Sequence, residues 1–307
     1  MEVTRAAYYQ FASVNRKPVK PLQATIIRNI QEIREQKHFD AYGSPRMHRE
    51  LIKRGIQCCR NTVAKCMRSV GIAANRRTKF RISTTNSNHN EPIAPNRLNQ
   101  NFTTEKLNQV WLTDMTYIAT KEDFTYLCAF VDLHSRKIVS WATSRHIDSE
   151  LVIRALDQAI VLRSPSPGLI VHSDRGSQYA SESFRSRLAK HRLIQSMSRR
   201  GNCYDNAPME SLFKSYKTEE VQDIVYESHE HATRSASGYI ESFYNSRRLH
   251  SSLGYCSPID FEQTQRAANS AVEACSSSLN LFPFLKTGLV STFCGQFQRP
   301  RSQRVSW

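Results

Sequence analysis

Three carboxylates stand out by type and spacing in this 307-residue chain. Asp114 lies in V-W-L-T-D-M-T-Y-I, Asp174 closes L-I-V-H-S-D, and Glu210 lies in D-N-A-P-M-E-S-L-F-K-S-Y-K. Between Asp174 and Glu210 there are 35 residues. Hard divalent cations such as Mg²⁺ take oxygen ligands, keep several waters and are held by a few carboxylates plus substrate phosphates. Two such ions about 3.5–4 Å apart stabilise both the attacking and the leaving oxygen of an in-line displacement at phosphorus. The triple therefore points to metal-assisted phosphodiester chemistry, with Asp114, Asp174 and Glu210 as ligands of two Mg²⁺, or Mn²⁺, ions.

Spacing alone is weak in a chain with 27 acidic residues, so the local contexts must select. Asp114 interrupts an alternating, mostly apolar strand, where an uncompensated carboxylate is costly. Asp174 ends an apolar run, and open α/β sheets place their sites at strand ends. Glu210 follows Pro208, which suits the first turn of a helix with Asp205 or Asn206 as its cap. Asn206, Glu210, Lys214 and Lys217 then share one helical face. The two lysines suit DNA phosphates, although a solvated face with an i,i+4 pair accounts for them as well. Asp132 ends a strand before a turn, where Asp is common, and is left out of the metal set. His172 shares a strand face with Asp174 and is either a tuning group or a packed neutral ring. Arg175 and Gln178 flank Asp174 and would meet DNA or cap the next helix, while Gly176 would permit a tight turn. Trp111 and Trp141 read as core aromatics.

The elements that must position these groups change character along the chain. Helices are expected at 4–13, 21–37, 43–55 and 61–70, with Gly55 and Gly71 as stops. On the last of these, Val63, Cys66, Met67 and Val70 face inward and Arg60, Lys65 and Arg68 outward. A helix, a short turn and a second basic helix suggest a helix-turn-helix, a fold used for DNA grooves and also for protein contacts. Residues 73–106 read as a linker arm, basic where Arg76 and Arg77 open it and polar beyond. Strands follow at 111–119, 124–132 and 137–143, joined at Lys121–Asp123 and His134–Arg136. Then come a helix at 149–163, a strand at 168–173, a helix at 179–190, a strand at 193–197, a helix from about Asn206, and a helix at 228–247. That last helix packs Tyr239, Phe243 and Tyr244 and ends in Arg247, Arg248 and His250. Three strands and then alternating helix and strand is the order of an α/β, RNase H-like fold. The regions are thus 1–72 helical, 73–106 arm, 107–262 catalytic core with a mixed five-stranded sheet, and 263–307 a flexible tail.

Charge divides the chain the same way. Residues 1–110 carry 20 Lys and Arg against 7 Asp and Glu, a net +13, whereas residues 111–262 carry 18 against 19, a net −1. The amino-terminal third is the electrostatic footprint for a polyanion. The eight cysteines include no Cys-x-x-Cys pair and the ten histidines no zinc-finger spacing, so the thiols read as reduced. The opening residues do not read as a signal peptide. The most apolar stretch, Leu279 to Phe293, is interrupted by Pro283 and Lys286 and is too short to cross a bilayer.

Seven stretches carry a family resemblance: Y-G-S-P-R-M-H-R-E-L at 42–51, I-A-P-N-R-L-N-Q-N-F at 93–102, L-N-Q-V-W-L-T-D-M-T-Y-I at 107–118, F-V-D-L-H-S-R-K-I-V-S-W at 130–141, H-S-D-R-G-S-Q-Y at 172–179, S-M-S-R-R-G-N-C-Y-D-N-A-P-M-E-S-L at 196–212 and Y-N-S-R-R-L-H-S-S-L-G-Y at 244–255. Over about residues 40–262 the chain resembles the orfB-type transposases of bacterial insertion sequences, in the family named after insertion sequence three, whose cores resemble retroviral integrases. The resemblance implies a D,D(35)E metal site at Asp114, Asp174 and Glu210, and a DNA-end contact seven positions after the glutamate, at Lys217. It implies cleavage at the element's ends and transfer of the freed 3′ hydroxyl into DNA. The partners implied are double-stranded terminal inverted repeats and target DNA, further copies of the chain on that DNA, and an upstream reading-frame product joined by frameshifting. The place implied is the bacterial cytoplasm, on the nucleoid when bound. Departures are small: Met47 where Ile is usual, and Cys59 where Ser or Thr would cap a helix better.

Two rivals remain at this level. A plain nuclease of the same fold would cleave without joining and has no use for a basic amino-terminal region. A DNA-binding regulator with a dead core has no use for a complete triad. The charge division yields a first prediction. Affinity for duplex DNA should fall steeply as salt rises, and neutralising basic residues within 1–110 should flatten that dependence more than neutralising as many within 111–262. Binding measured across a salt series on the full-length variants checks this.

Overall fold

The protein is represented by a computed structural model that describes residues 21–73, 91–222 and 224–280. The helix expected at 4–13, and Arg76 and Arg77, lie outside the described residues.

The amino-terminal helices are α1 (Pro21–Arg34), α2 (Ser44–Lys53) and α3 (Arg60–Ser69). Their apolar residues recur at helical spacing: Ile26, Ile30 and Ile33 on α1, Met47 and Leu51 on α2, and Val63, Cys66 and Met67 on α3 are buried. Gly55 and Gly71 take positive φ, so the chain turns back and Ile56 and Ile72 donate their N–H to the carbonyls of Leu51 and Met67. This closes both helices in the way glycine permits. Arg60, Lys65 and Arg68 are exposed, as expected. Val70 falls past the last turn of α3 and is exposed instead of facing inward. Helix α1 is three residues shorter than expected, because the chain leaves helical geometry before His38, which has φ 75°.

Five strands form one sheet in the order β3-β2-β1-β4-β5. They are β1 (Val110–Ala119), β2 (Phe124–Asp132), β3 (Ile138–Ser144), β4 (Ile170–Ser173) and β5 (Ile194–Met197). The first three form an antiparallel meander, while β4 and β5 run parallel to β1. Crossovers are supplied by α4 (Ser149–Arg163) and by α5 (Ser177–Ala180) with α6 (Glu182–Lys190). Asp148 caps α4 by accepting the Leu151 N–H at 2.8 Å. Beyond β5 come α7 (Ala207–Tyr216), α8 (His229–Tyr239) and α9 (Pro258–Asn280); α7 and α8 run on through π turns, Lys217–Val221 and Ile240–Tyr244. Alternation along the strands sends Trp111, Met115, Cys128 and Phe130 against α4, α5 and α6. Leu112, Leu127, Ala129 and Val131 point the other way and share one apolar cluster with Met209 and Phe213, with α8, and with the amino-terminal helices.

The amino-terminal helices are also tied to α7 by buried charge. On the π turn, the Glu219 carboxylate accepts from Arg248 Nε and Nη2, each at 2.7 Å, and from the Tyr239 hydroxyl at 2.8 Å. Arg46 Nη1 stands 3.4 Å away. Glu220 accepts from Lys37 at 3.0 Å and from the Ser235 hydroxyl. Arg248 was expected at a basic helix end; it is 4% exposed, and Glu219 holds its guanidinium charged despite burial, which pulls the other way. At the far end of the core, Glu262 at the start of α9 accepts from Arg163 at 2.6 and 3.0 Å and from Ser135 at 2.8 Å. The flexible tail expected from residue 263 is corrected in part: residues 263–280 continue α9. Their run of Ala, Ser and Gln lacks the Gly and Pro that would break a helix.

Arg248→Met leaves Glu219 buried without its main partner and should destabilise the fold by about 3–5 kcal/mol. The double change Glu219→Leu with Arg248→Met removes both charges and should cost much less. Urea unfolding of the three proteins is the comparison.

Candidate active site

Strand pairing brings the first two carboxylates together. In the parallel ladder Val110 pairs with Ile170, Trp111 with Val171 and Leu112 with His172. Asp174 is the residue after β4, and the same register continued two residues brings it level with Asp114, whose carboxyl feels the Asp174 charge. Asp114 sits on the face of β1 that α7 covers, and α7 carries Glu210 in its first turn. Burial first, then the negative charges of Asp174 and Glu210, push the Asp114 carboxyl well above the usual range. The Met115 N–H, 2.8 Å from Oδ1, and the Lys217 ammonium act in the opposite direction. Lys217 Nζ lies 3.9 Å from the centre of the Tyr117 ring, so this lysine is folded over β1 and is not a purely solvated surface group. Lys214 on the same helix is exposed. Asp114 thus feels both other carboxylates, yet among the described residues no three His, Cys, Asp or Glu side chains form a ready-made metal cage.

Around Asp174 the backbone comes close. Gly176 donates its N–H to Asp174 Oδ1 at 3.0 Å. A Cβ on Gly176 would stand 2.8 Å from Gln178 Oε1 and 3.2 Å from Asp174 Oδ1. Gly176 is therefore needed for space, not for the tight turn the sequence suggested. Gln178 Oε1 and Asn206 Oδ1 are both buried, and no donor among the described residues reaches either. Arg175 does not cap the helix; its Nε donates to the Ser198 carbonyl at 2.7 Å.

The loop before Glu210 is fixed by a carboxylate the metal set does not include. Asp205, fully buried, accepts from the backbone N–H of Arg199 at 2.8 Å, from its guanidinium at 2.7 and 2.9 Å, from Asn96 at 2.9 Å and from Gln100 at 3.0 Å. The Arg199 side chain, first among these, holds the Asp205 carboxyl far below the usual range. Asp205 is consequently not a helix cap, and Asn206 holds the N-cap position with no side-chain capping bond. Cys59 at the start of α3 likewise caps nothing. Asp132 accepts the N–H of Asn108, His134 and Ser135 at 2.6, 2.9 and 2.9 Å, a turn anchor and no part of the triad. His172 is buried, with Nδ1 2.8 Å from Ser196 Oγ and Nε2 3.0 Å from the Asp205 carbonyl. Burial pulls its pKa down to about 4, so it is a packed neutral ring. Trp111 is core, but Trp141 is half-buried and donates to Glu241 at 3.0 Å. The long-range partners of Asp205 and the orphaned amide oxygens were invisible to spacing; the only signal was their place inside the H-S-D-R-G-S-Q-Y and G-N-C-Y-D-N stretches.

A five-stranded mixed sheet with acidic side chains gathered where β1 and β4 run together is the integrase core of the RNase H-like class, a polynucleotidyl transferase fold. Family models agree: an integrase core domain matches residues 104–203 and a second one residues 191–258, while an HTH-like domain matches 21–80. A 31 kDa protein of insertion element IS600 from Shigella sonnei is 38% identical over 85% of this chain and 95% of its own length. The transposase of insertion sequence IS904 from Lactococcus lactis subsp. lactis (strain IL1403) is 41% identical over 74% of this chain and 89% of its own. Transposase InsF of insertion sequence IS3A from Escherichia coli (strain K12) is 38% identical over 74% and 78%. The chain belongs to the IS3-type family of insertion-sequence transposases, and it is a DNA transposase. No helix among the described residues is long and apolar enough to cross a membrane.

His172 makes a pH prediction. Its folded pKa, about 4, lies below the value of about 6.5 in an unfolded chain. Below 6.5 the unfolded chain binds a proton that the folded site refuses, so stability present above pH 6.5 is lost as pH falls toward 4. Unfolding free energy should drop across that window, and His172→Gln should reduce the slope in a pH series of chemical denaturation.

Proposed function

We propose that this transposase cuts a phosphodiester at the element's end with Asp114, Asp174 and Glu210 as ligands of two Mg²⁺ or Mn²⁺ ions, then joins the freed 3′ hydroxyl to another strand. The observation that carries the reading is the parallel register that sets Asp174 beside Asp114, with Glu210 close enough to raise the same carboxyl. The donors fit hard cations: all three side chains are carboxylates and offer only oxygen. Clustered carboxylates in a desolvated site repel one another, and a cation relieves that repulsion. When bound, the ions would polarise the scissile phosphate and stabilise the entering and leaving oxygens.

The chain's residues then divide the work. In the first step the water oxygen bonds to phosphorus and the bond from phosphorus to the 3′ oxygen breaks, leaving a 3′ hydroxyl. In the second step that hydroxyl oxygen attacks another phosphodiester, whose own 3′ oxygen departs. Neither step needs a covalent link to the protein. Lys217, folded over Tyr117 toward Asp114, contacts a phosphate near the scissile bond as a point charge. Lys214 and Arg175 line the approach, and Arg60, Lys65 and Arg68 on the exposed side of α3, with Arg76 and Arg77, hold duplex phosphates. We assign residues 1–72 to DNA binding, 73–106 to the arm, 107–262 to catalysis and 263–307 to a tail. The reaction takes place in the bacterial cytoplasm on terminal inverted repeats and target DNA, with more than one copy of the chain engaged and with the upstream reading-frame product available as a fusion.

Glu210→Gln keeps shape and removes a charge that holds a hard cation. Both cleavage and joining of an element-end duplex should be lost in Mg²⁺ while duplex affinity stays near wild type; near-normal turnover would remove Glu210 from the ligand set. In the same assay Lys217→Ala should lose end binding and Lys217→Arg should keep most of it.

A further inference from the structure

Gln178 is 9% exposed and is pinned at one end only. Its Nε2 donates to the Ile147 carbonyl at 3.2 Å. That bond sets the orientation of the amide, because a carbonyl accepts only from the NH₂ side. Oε1 must then face the other way, toward Gly176, where it and Asp174 Oδ1 stand 2.8 and 3.2 Å from one common point, the place of the missing Cβ. No donor among the described residues reaches Oε1. A buried acceptor left unmatched costs about 1–3 kcal/mol, and next to a carboxylate oxygen only a donor or a cation can satisfy it.

We propose that Gln178 Oε1 positions the attacking water of the first step by accepting one of its hydrogens. This rests on the two-step reading above. The two nucleophiles differ in one respect that this oxygen can sense. Water carries two O–H bonds, and an attacking DNA 3′ hydroxyl carries one. As the water oxygen bonds to phosphorus, one hydrogen leaves as a proton and the departing 3′ oxygen ends protonated as a hydroxyl. The other hydrogen stays on the oxygen now bound to phosphorus, and Gln178 Oε1 holds it throughout. A 3′ hydroxyl gives up its only proton and has no second hydrogen to align. Gln178 is therefore specific to hydrolysis and dispensable for strand joining.

The test uses the full chain with two duplexes of the element's end, one intact and one with its 3′ hydroxyl already free. Gln178→Met keeps the side chain's bulk and removes the oxygen. Gln178→Glu keeps an oxygen acceptor and removes the NH₂ that binds Ile147. Gln178→Met should cleave the intact end roughly 10–100-fold more slowly, yet join the pre-cut end at close to the wild-type rate. That joining also shows that the variant is folded. Gln178→Glu should restore cleavage to within several-fold of wild type. Mn²⁺ affinity of the protein alone, followed by electron paramagnetic resonance, should not fall in Gln178→Met. Equal loss of cleavage and joining in Gln178→Met overturns the proposal. So does failure of Gln178→Glu alongside it, which would assign the effect to the Ile147 tie. Weakened Mn²⁺ binding overturns it by making Gln178 a ligand. Wild-type protein that cleaves but never joins the pre-cut end would instead refute the transposition chemistry on which it rests.

Discussion

Like charges forced together are what this structure has to maintain. Asp114 and Asp174 end up side by side because two parallel strands are in register. Glu210 is added from a helix that crosses the same face. Left to itself such a cluster would drift apart or take up protons, and the upward push on Asp114 comes from burial first and then from this repulsion. The sheet prevents the first outcome. Moving Asp114 away from Asp174 would break the β1–β4 ladder, and shifting it by one residue would exchange the two faces of β1, setting Trp111 and Met115 in the places of Leu112 and Ile118.

Holding Glu210 is a separate problem, since it sits on a helix and not in the sheet. Two buried carboxylates of ordinary structural kind solve it from opposite ends. Before the helix, Asp205 gathers Arg199, Asn96 and Gln100, so the loop is tied to the segment that leads into the core. After the helix, Glu219 gathers Arg248, Tyr239 and Arg46. Both anchors are saturated with donors. Gln178 Oε1 and Asn206 Oδ1 have no hydrogen-bond donor among the described residues, a state they share with the buried Tyr216 hydroxyl.

Much of this was legible in the residues. Helix α4 and strand β2 begin and end where their patterns say, because Asp148 caps the one and the turns at Lys121–Asp123 and His134–Arg136 bound the other. Of the three carboxylates Asp114 stood out most, because a carboxylate inside an apolar strand breaks a local rule, whereas Asp174 at a strand end and Glu210 in a first helical turn break none. The anchors were not. Asp205 looks like a helix cap and Arg248 like a helix-end cation, since cap and end rules depend on near neighbours. The partners that claim them lie 105 and 109 positions away for Asp205, and 29 positions away for Arg248. The role of Gly176 was hidden for a related reason, because its need is for room beside Gln178 and Asp174 and not for a rare φ.

Glu219 also bears on how such proteins can be recombined. Lys37 and His38, between α1 and α2, and Arg46 on α2 each lie within bonding or pairing distance of Glu219 or Glu220 on the continuation of the helix that carries Glu210. The amino-terminal region and the core are therefore matched across a charged seam, and inheritance of one constrains the other. A chimera that exchanges the first 73 residues between two relatives would bring together halves of two different seams, unless residues 219, 220 and 248 travel with them.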